Sequence, residues 1–199
     1  NDGGGATYKI SDSGTANEMD VIAVGDLYAT LIKPEVATPE IYGAYGDATH
    51  DDKASIQRAI DQNKNLTMNG TYLINSSVTI GNQDTSTNNW LNNVNINAEC
   101  SSVTYSGNDS AFVLAGIKEG NINFGKITAS SGNCIEIWSS NGYTSVSYLD
   151  LTFKDLRPAS GSKAIYIHSS ATGDINQNKF TGGSIFSGDY GFYIEQNTS

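Results

Sequence analysis

Pairs of apolar residues separated by one other residue recur at intervals in the twenties along most of this 199-residue chain. One series consists of the pairs Leu66/Met68, Val94/Ile96, Ile122/Phe124 and Leu149/Leu151. The first residues of successive pairs lie 28, 28 and 27 residues apart, and Ile175 follows 26 residues after Leu149. A second series consists of Phe112/Leu114, Ile135/Ile137, Ile165/Ile167 and Phe192/Ile194. Because alternate residues of a strand point to opposite faces, each pair predicts a strand with one apolar side. Repetition at this period is typical of a solenoid whose coils stack through backbone hydrogen bonds.

A second architecture is compatible with the same pattern. Short strands separated by turns rich in Gly, Asn and Ser also occur in antiparallel β-sandwiches. The 21 glycines and three prolines suit either arrangement and disfavour a helical protein. The choice between the two depends on the segment that precedes the repeats.

The segment 42–61, YGAYGDATHDDKASIQRAID, is predicted to be a glycine turn, an acidic cap and a short amphipathic helix. Gly43 and Gly46 allow backbone angles that other residues avoid. Asp51 or Asp52 is expected to accept the unpaired N–H groups of the first helical turn. The apolar stripe of the helix is narrow, so the helix is expected to lie across an apolar surface and plug the open end of the strand stack. The stripe consists of Ile56, Ala59 and Ile60.

This segment resembles the entry signature of the pectate-lyase-like right-handed β-helix superfamily, which usually reads FGAKGDGxTDDTxAIQxAI. The matching stretches are 42–47, 49–52 and 56–60. The chain departs from the signature at Ala48, where the family has glycine, and at Lys53, where it has threonine. The resemblance implies an all-β fold, a right-handed parallel β-helix capped by a short N-terminal helix, and decides against the sandwich. The signature belongs to the scaffold and identifies no catalytic residue.

A β-rich unit precedes the entry segment. Gly25-Asp26 is a two-residue connection that predicts a hairpin pairing Val24 with Leu27 and Ile22 with Ala29. Both faces of this hairpin are largely apolar, so it must pack against the rest of the chain or against other copies. It is either a cap on the β-helix or an attachment and trimer-forming unit. The expected division is 1–40 for this unit with its linker, 41–64 for the turn and helix, and 65–199 for the coils.

Charge and motifs restrict the partners. A formal net charge of −10 argues against nucleic acid binding, which depends on clustered Lys and Arg. The same charge gives no long-range attraction to anionic membranes or polymers, so an acidic glycan would have to be held by a local site. No apolar run approaches the roughly 20 residues that span a bilayer, so no membrane insertion is expected.

No metal or cofactor is predicted. The chain carries none of the common nucleotide, zinc-protease, hydrolase or calcium-array motifs. Asp47, His50, Asp51 and Asp52 form a ligand-like cluster on paper, but a helix cap explains these carboxylates more simply.

Together with the hairpin unit, the entry segment resembles the tailspike and appendage proteins of bacteriophages. The resemblance implies a homotrimer in the virion, joined to other virion proteins through the N-terminal unit, that recognises and degrades a bacterial surface polysaccharide. We expect the chain to be the N-terminal portion of a longer protein, with lyase or hydrolase residues beyond Ser199. The alternative is a monomeric, secreted, non-viral carbohydrate enzyme of the pectate-lyase type.

The second series of strands also predicts a candidate substrate-binding surface. If its apolar pairs point inward, the intervening and following residues point outward on three successive coils. They would form a patch roughly 10 Å tall, with flat rings for sugar faces and polar tips for hydroxyl groups. Its two carboxylates are expected about 12 Å apart, beyond the roughly 5 to 9.5 Å of glycosidase pairs, which favours binding over catalysis. The same residues could instead be an aromatic ladder that stabilises the solenoid, or a face buried against sister chains. The outward residues are Glu136, Trp138, Tyr166, His168, Tyr193 and Glu195.

Overall fold

The computed structural model describes residues 6–17, 19–87, 89–170 and 172–196. Within these ranges the chain contains the helix α1 (Lys53–Gln62), the 3₁₀ turns Pro39–Tyr42 and Gly142–Thr144, and a series of strands. The strands are β1 (Tyr8–Ser11), β2 (Val21–Val24), β3 (Leu27–Leu31), β4 (Asp47–Asp51), β5 (Asn65–Thr67), β6 (Thr71–Ile74), β7 (Val78–Gly81), β8 (Val94–Tyr105), β9 (Ser110–Ala115), β10 (Gly120–Ala129), β11 (Asn133–Ser139), β12 (Val146–Ser147), β13 (Leu149–Arg157), β14 (Lys163–Ser169), β15 (Ile175–Asn176), β16 (Lys179–Ile185) and β17 (Tyr190–Gln196).

Two parallel sheets and a short third side enclose the core. The first sheet has the order β16-β13-β10-β8-β6-β4, with β5 also paired to β8. The second sheet has the order β17-β14-β11-β9-β7, and the third side holds the parallel pair β12-β15. Each strand pairs with the strand one coil earlier, so the chain winds as a parallel β-helix. The predicted all-β, parallel β-helix fold is confirmed.

The second sheet has the register that the sequence predicts. Ile135 pairs with Phe112 on one side and with Ile165 on the other, and Ile165 pairs with Phe192. The inward side chains of β9 and β11 are fully buried, whereas Ile194 on β17 is 74% exposed. The apolar pairs therefore form continuous columns along the β-helix axis.

The first sheet has a different register from the predicted one. Leu66 pairs with Ile96 rather than Val94, and each later step of the series is also displaced by two residues. Because side chains alternate with a period of two, this displacement leaves the apolar residues facing the core. Ile175 was expected to continue the series but pairs with Val146 on the third side, so that expectation was wrong. The loops at the corners differ in length from coil to coil. Equal spacing of the apolar pairs in the sequence therefore does not predict which residues pair between neighbouring strands of the first sheet.

Helix α1 covers the first coil as predicted. Ile56, Ala59 and Ile60 are buried and belong to the same apolar cluster as Leu66 and Met68. The apolar stripe of the helix thus closes one end of the core.

The acidic cap differs in part from expectation. Asp51 accepts the N–H of Lys53 at 3.1 Å, as predicted. Asp52 occupies the N-cap position but accepts N–H groups from the preceding turn, Tyr45 at 2.7 Å and Gly46 at 3.2 Å. Burial raises the pKa of Asp52, and these two N–H donors only partly offset that effect. Asp52 therefore holds the glycine turn in place rather than capping the helix.

The N-terminal unit is a three-stranded antiparallel sheet, β1-β3-β2. The predicted hairpin register, Val24 with Leu27 and Ile22 with Ala29, is confirmed, and β1 adds a strand on the other edge of β3. Arg58 of α1 donates three hydrogen bonds to Asp20, at 2.7 and 2.9 Å from Nη2 and 3.0 Å from Nε, and so ties this sheet to the helix. The predicted division at residues 40 and 64, and the role of the unit as cap or attachment device, remain predictions.

We expect Ile60→Asp to lower the free energy of unfolding by several kcal/mol, because it buries an unpaired charge between α1 and the first coil. Urea denaturation followed by tryptophan fluorescence measures the change. Ala54→Asp is the matched control, since Ala54 is exposed on the same helix and surface changes cost within about 0.5 kcal/mol. Equal destabilisation by the two variants would show that the helix does not close the core.

Ala48→Gly is expected to stabilise the chain by about 0.5 to 1 kcal/mol. Ala48 has φ of 65°, in the left-handed region that costs a non-glycine residue about 1 to 2 kcal/mol. Glycine removes that strain and loses somewhat more entropy on folding. Thermal unfolding measures the difference, and Ala54→Gly within α1 should have the opposite sign. A lower melting temperature for Ala48→Gly would contradict this account of the turn.

Candidate functional site

The six residues predicted to point outward lie together on the outer side of β11, β14 and β17. We call this surface the aromatic face. One column contains Glu136, Tyr166 and Tyr193, and the neighbouring column contains Trp138, His168 and Glu195. All six side chains are half-buried. The structure therefore brings the whole predicted set together, and whether it binds a glycan remains a prediction.

Diagonal hydrogen bonds link the two columns across successive coils. His168 Nε2 lies 2.8 Å from Glu136 Oε1, and the Tyr166 hydroxyl donates to Glu195 Oε2 at 2.7 Å. The rings of Tyr166 and His168 stack in parallel, with centroids 4.4 Å apart and an interplanar angle of 11°. Tyr166 and His168 therefore form a stacked pair on the middle coil. His168 is hydrogen-bonded to Glu136 of the preceding coil, and Tyr166 is hydrogen-bonded to Glu195 of the following coil.

Glu136 is held as a carboxylate. Ser110 donates to Glu136 Oε2 at 2.7 Å, so both carboxylate oxygens have partners. Burial raises the pKa of the Glu136 carboxyl, but the hydrogen bonds from His168 and Ser110 and the nearby charge of Lys163 outweigh it and hold the pKa below its ordinary value. With Glu136 ionised, His168 Nε2 must carry the proton of their shared hydrogen bond.

Tyr166 remains a protonated donor over the whole neutral range. Burial and the hydrogen bond to Glu195 raise the pKa of Tyr166 to about 12. The ammonium of Lys163 lies 4.8 Å from the ring centroid of Tyr166 and 5.0 Å from that of Tyr193. Tyr190 packs against Tyr193 with centroids 4.9 Å apart. These contacts enlarge the aromatic face with two residues that the sequence analysis did not identify, Lys163 and Tyr190.

The two carboxylates of the face are separated by the stacked rings. Glu136 is bound to His168 from the coil below, and Glu195 is bound to Tyr166 from the coil above. A glycosidase pair instead faces a shared space about 5 to 9.5 Å wide that the scissile bond occupies. Each carboxylate is therefore engaged by a ring of the middle coil, which differs from the open carboxylate pair of a glycosidase.

A depression of about 300 Å³ adjoins the aromatic face at the last described coil, where β14 and β17 meet β15, and the inward side chains of Ile167 and Ile194 also line it. His168 and Glu195 form one wall, and Asp174 and Asn176 line the other. The sequence pattern does not identify Asp174 and Asn176 as surface residues, because the apolar spacing assigns Ile175 to the first series. Alternation around Ile175, once assigned to the short strand β15, would have identified them as outward residues.

The cluster at residues 47–52 serves the local turn. Asp47 accepts N–H groups from Thr49 and His50 and lies 2.8 Å from His50 Nδ1, while Asp52 is turned toward Tyr45. Within the described ranges, no group of three His, Cys, Asp or Glu side chains is arranged to hold a metal ion. In that same part of the chain, the helix is too short and polar to cross a bilayer.

Comparison with known proteins gives a remote likeness to a solved structure. No protein-family model matches the chain, and no curated protein does so. Among solved structures, the chain is similar to the tailspike protein of Acinetobacter baumannii phage AM24, with 9% sequence identity and a TM-score of 0.41. The match covers 95% of this chain and 43% of that one, so this chain spans less than half the length of that structure. A likeness this remote carries no residue roles, which rest on the geometry above.

The low pKa of Glu136 predicts an acid-sensitive contribution to stability. A carboxyl with a lowered pKa in the folded state stabilises the fold above its ordinary value of 4.5, and this contribution is lost as the pH falls below that value. We therefore expect the melting temperature of the wild type to fall more steeply below pH 4.5 than that of Glu136→Gln. Parallel curves for the two proteins, measured by thermal unfolding across this range, would show that the His168 and Ser110 contacts do not stabilise the charge.

Proposed function

We propose that this chain is the receptor-binding part of a bacteriophage tailspike or appendage protein and that it binds a bacterial surface polysaccharide on the aromatic face. The observation that supports this most is the combination of rings and a depression on one surface. Trp138, Tyr166 and Tyr193 are half-buried and adjoin the depression that His168 and Glu195 line. Aromatic rings pack against the apolar faces of sugars, and convergent polar groups hydrogen-bond their hydroxyls.

Rigidity of the face supports binding. The stacked pair Tyr166–His168 and its diagonal bonds to Glu136 and Glu195 fix the rotamers of four side chains before any ligand arrives. Side chains that are already ordered lose less entropy on binding, so more of the contact energy contributes to affinity. The same bonds also stabilise the solenoid, so the two roles must be separated by experiment.

The entry segment and the N-terminal sheet support the phage assignment. The segment folds as its resemblance implies, with a glycine turn, a helix over the core and parallel coils beyond it. The N-terminal sheet exposes Ile10, Val24 and Leu27 on one of its faces, at 55%, 53% and 43%. Apolar side chains exposed this far suit contact with other protein surfaces. In our proposal, this sheet mediates trimer formation and attachment to other virion proteins.

We also propose that the protein cleaves the polysaccharide, as a lyase or a hydrolase, but not at the aromatic face. Glu136 and Glu195 lie in different columns two coils apart, and each is hydrogen-bonded to a ring of the middle coil, unlike the open carboxylate pair of a glycosidase. We therefore assign the aromatic face to recognition rather than to cleavage.

The double variant Trp138→Ala/Tyr166→Ala is expected to weaken binding to the recognised polysaccharide at least tenfold, equivalent to about 1.4 kcal/mol. Binding is measured on an array of purified capsular polysaccharides and lipopolysaccharide O-chains. Tyr148→Ala is the matched control, because Tyr148 is an exposed tyrosine at the border of the first sheet.

Melting temperature and sedimentation velocity of each variant separate binding from stability and assembly. A double variant that folds, keeps its oligomeric state and binds as tightly as Tyr148→Ala would leave the face a purely structural ladder. Loss of the trimer instead would place the face at an interface between chains. A wild-type protein that sediments as a monomer would contradict the trimeric spike.

A further inference from the structure

The third side of the β-helix carries a column of apolar residues that runs along the axis. Leu91, Ile117, Val146 and Ile175 are joined in parallel from coil to coil. Coils stack about 4.8 Å apart, so the column extends over about 14 Å. Depressions of about 390, 270 and 300 Å³ follow one another beside it.

Neighbouring depressions share lining residues. Trp90 lines both the first and the second, and Asp174 and Asn176 line both the second and the third. The third is the depression that adjoins the aromatic face. The three depressions therefore lie in a row along the third side, from α1 to His168 and Glu195, and we call this row the side groove.

Trp90 is a fixed wall of the side groove. Its indole Nε1 donates to the carbonyl of Gly142 at 3.2 Å, across two coils. The loop that carries Trp90 is held a second time, because Asn141 Nδ2 donates to the carbonyl of Thr85 at 2.7 Å. The ring is thus ordered at the surface while remaining only half-buried.

Lys118 places a positive charge in the middle of this groove. Its ammonium lies 4.0 Å from the centroid of the Trp90 ring, and the residue is exposed. In the part of the chain that the structure describes, no carboxylate lies within ion-pair distance of Lys118, whereas Lys154 is paired with Glu99 at 3.1 Å. The ring orients the ammonium by cation–π attraction without neutralising it. A positioned ammonium with three donors suits a carboxylate or phosphate group on a ligand.

Because the net charge of the protein is negative, binding of an anionic polymer would depend on the ammonium of Lys118. At a net charge of −10, the protein repels anionic polymers at long range. An anionic polysaccharide can therefore be retained only where a cation meets its charged groups directly. Lys118 supplies such a contact, and Asp174 and Asn176 of the same depression supply acceptors and donors for hydroxyl groups.

We propose that the side groove is a second part of the polysaccharide site and that Lys118, positioned by Trp90, selects chains bearing an anionic group. This inference rests on the proposed function and names the substrate class. The shared chemistry is a carboxylate or phosphate carried at intervals on an otherwise neutral sugar chain. The polymer would lie along the β-helix axis and reach the aromatic face at His168 and Glu195.

The test uses an array of purified bacterial surface polysaccharides, acidic and neutral. Each uronic-acid polymer is also presented after carboxyl reduction, and each phosphate-bearing polymer after dephosphorylation, which identifies the anionic group. We expect binding to acidic members, and an affinity loss of at least tenfold on removal of the anionic group. Lys118→Met should cause a similar loss for the intact polymer and little further loss for the neutralised one.

Lys154→Met is the matched control, because it changes the net charge equally on the first sheet, away from the groove. Melting temperatures establish that both variants fold. Equal binding of acidic and neutralised polymers, or equal effects of the two Lys→Met changes, would overturn the inference and leave the proposed function standing. Binding to no member of the array would overturn the proposed function itself.

Discussion

Parallel backbone pairing between successive coils is the constraint on which the rest of this molecule depends. Each inner strand of the two large sheets is held between the strand one coil before and the strand one coil after, about 4.8 Å away on either side. Residues at equivalent positions are therefore forced into columns, and a column that faces inward must be apolar over its whole length. The columns through Ile135 and Ile137 meet that condition from β7 to β14 and form much of the core.

The same constraint organises the outer surface. Side chains in one outward column are too close to act independently, so like charges in adjacent coils would repel each other. On the aromatic face this conflict is avoided by placing Glu136 and Glu195 in different columns and two coils apart, with Tyr166 and His168 between them. The result is a rigid, hydrogen-bonded surface. In our proposal this rigidity favours recognition of a repeating polymer, which presents similar groups at regular intervals along an extended line.

The loops at the corners of the coils bring together residues that the sheets keep apart. Side chains of a strand point either inward or outward, whereas the loops vary in length and can place residues from different coils in contact. Trp90 from one loop meets Gly142 from another two coils away, and Lys118 lies over its ring. The side groove is therefore a product of loop packing against a regular column, and it connects a cation to the aromatic face on a protein whose net charge is strongly negative.

The sequence by itself determined what depends on local alternation. The two-residue connection Gly25-Asp26 predicted the hairpin, and the period of two predicted the outward placement of all six residues of the aromatic face. The register of the second sheet followed from aligning its apolar pairs. Tertiary structure alone decided the alignment of the first sheet, which differs by two residues, and the position of Ile175 on the third side. It also decided that Asp52 binds the glycine turn and that Lys118 meets Trp90. These features depend on the length and conformation of the loop at each corner. The apolar pattern predicts whether a residue faces inward or outward, but it does not predict how many residues each loop uses between two coils.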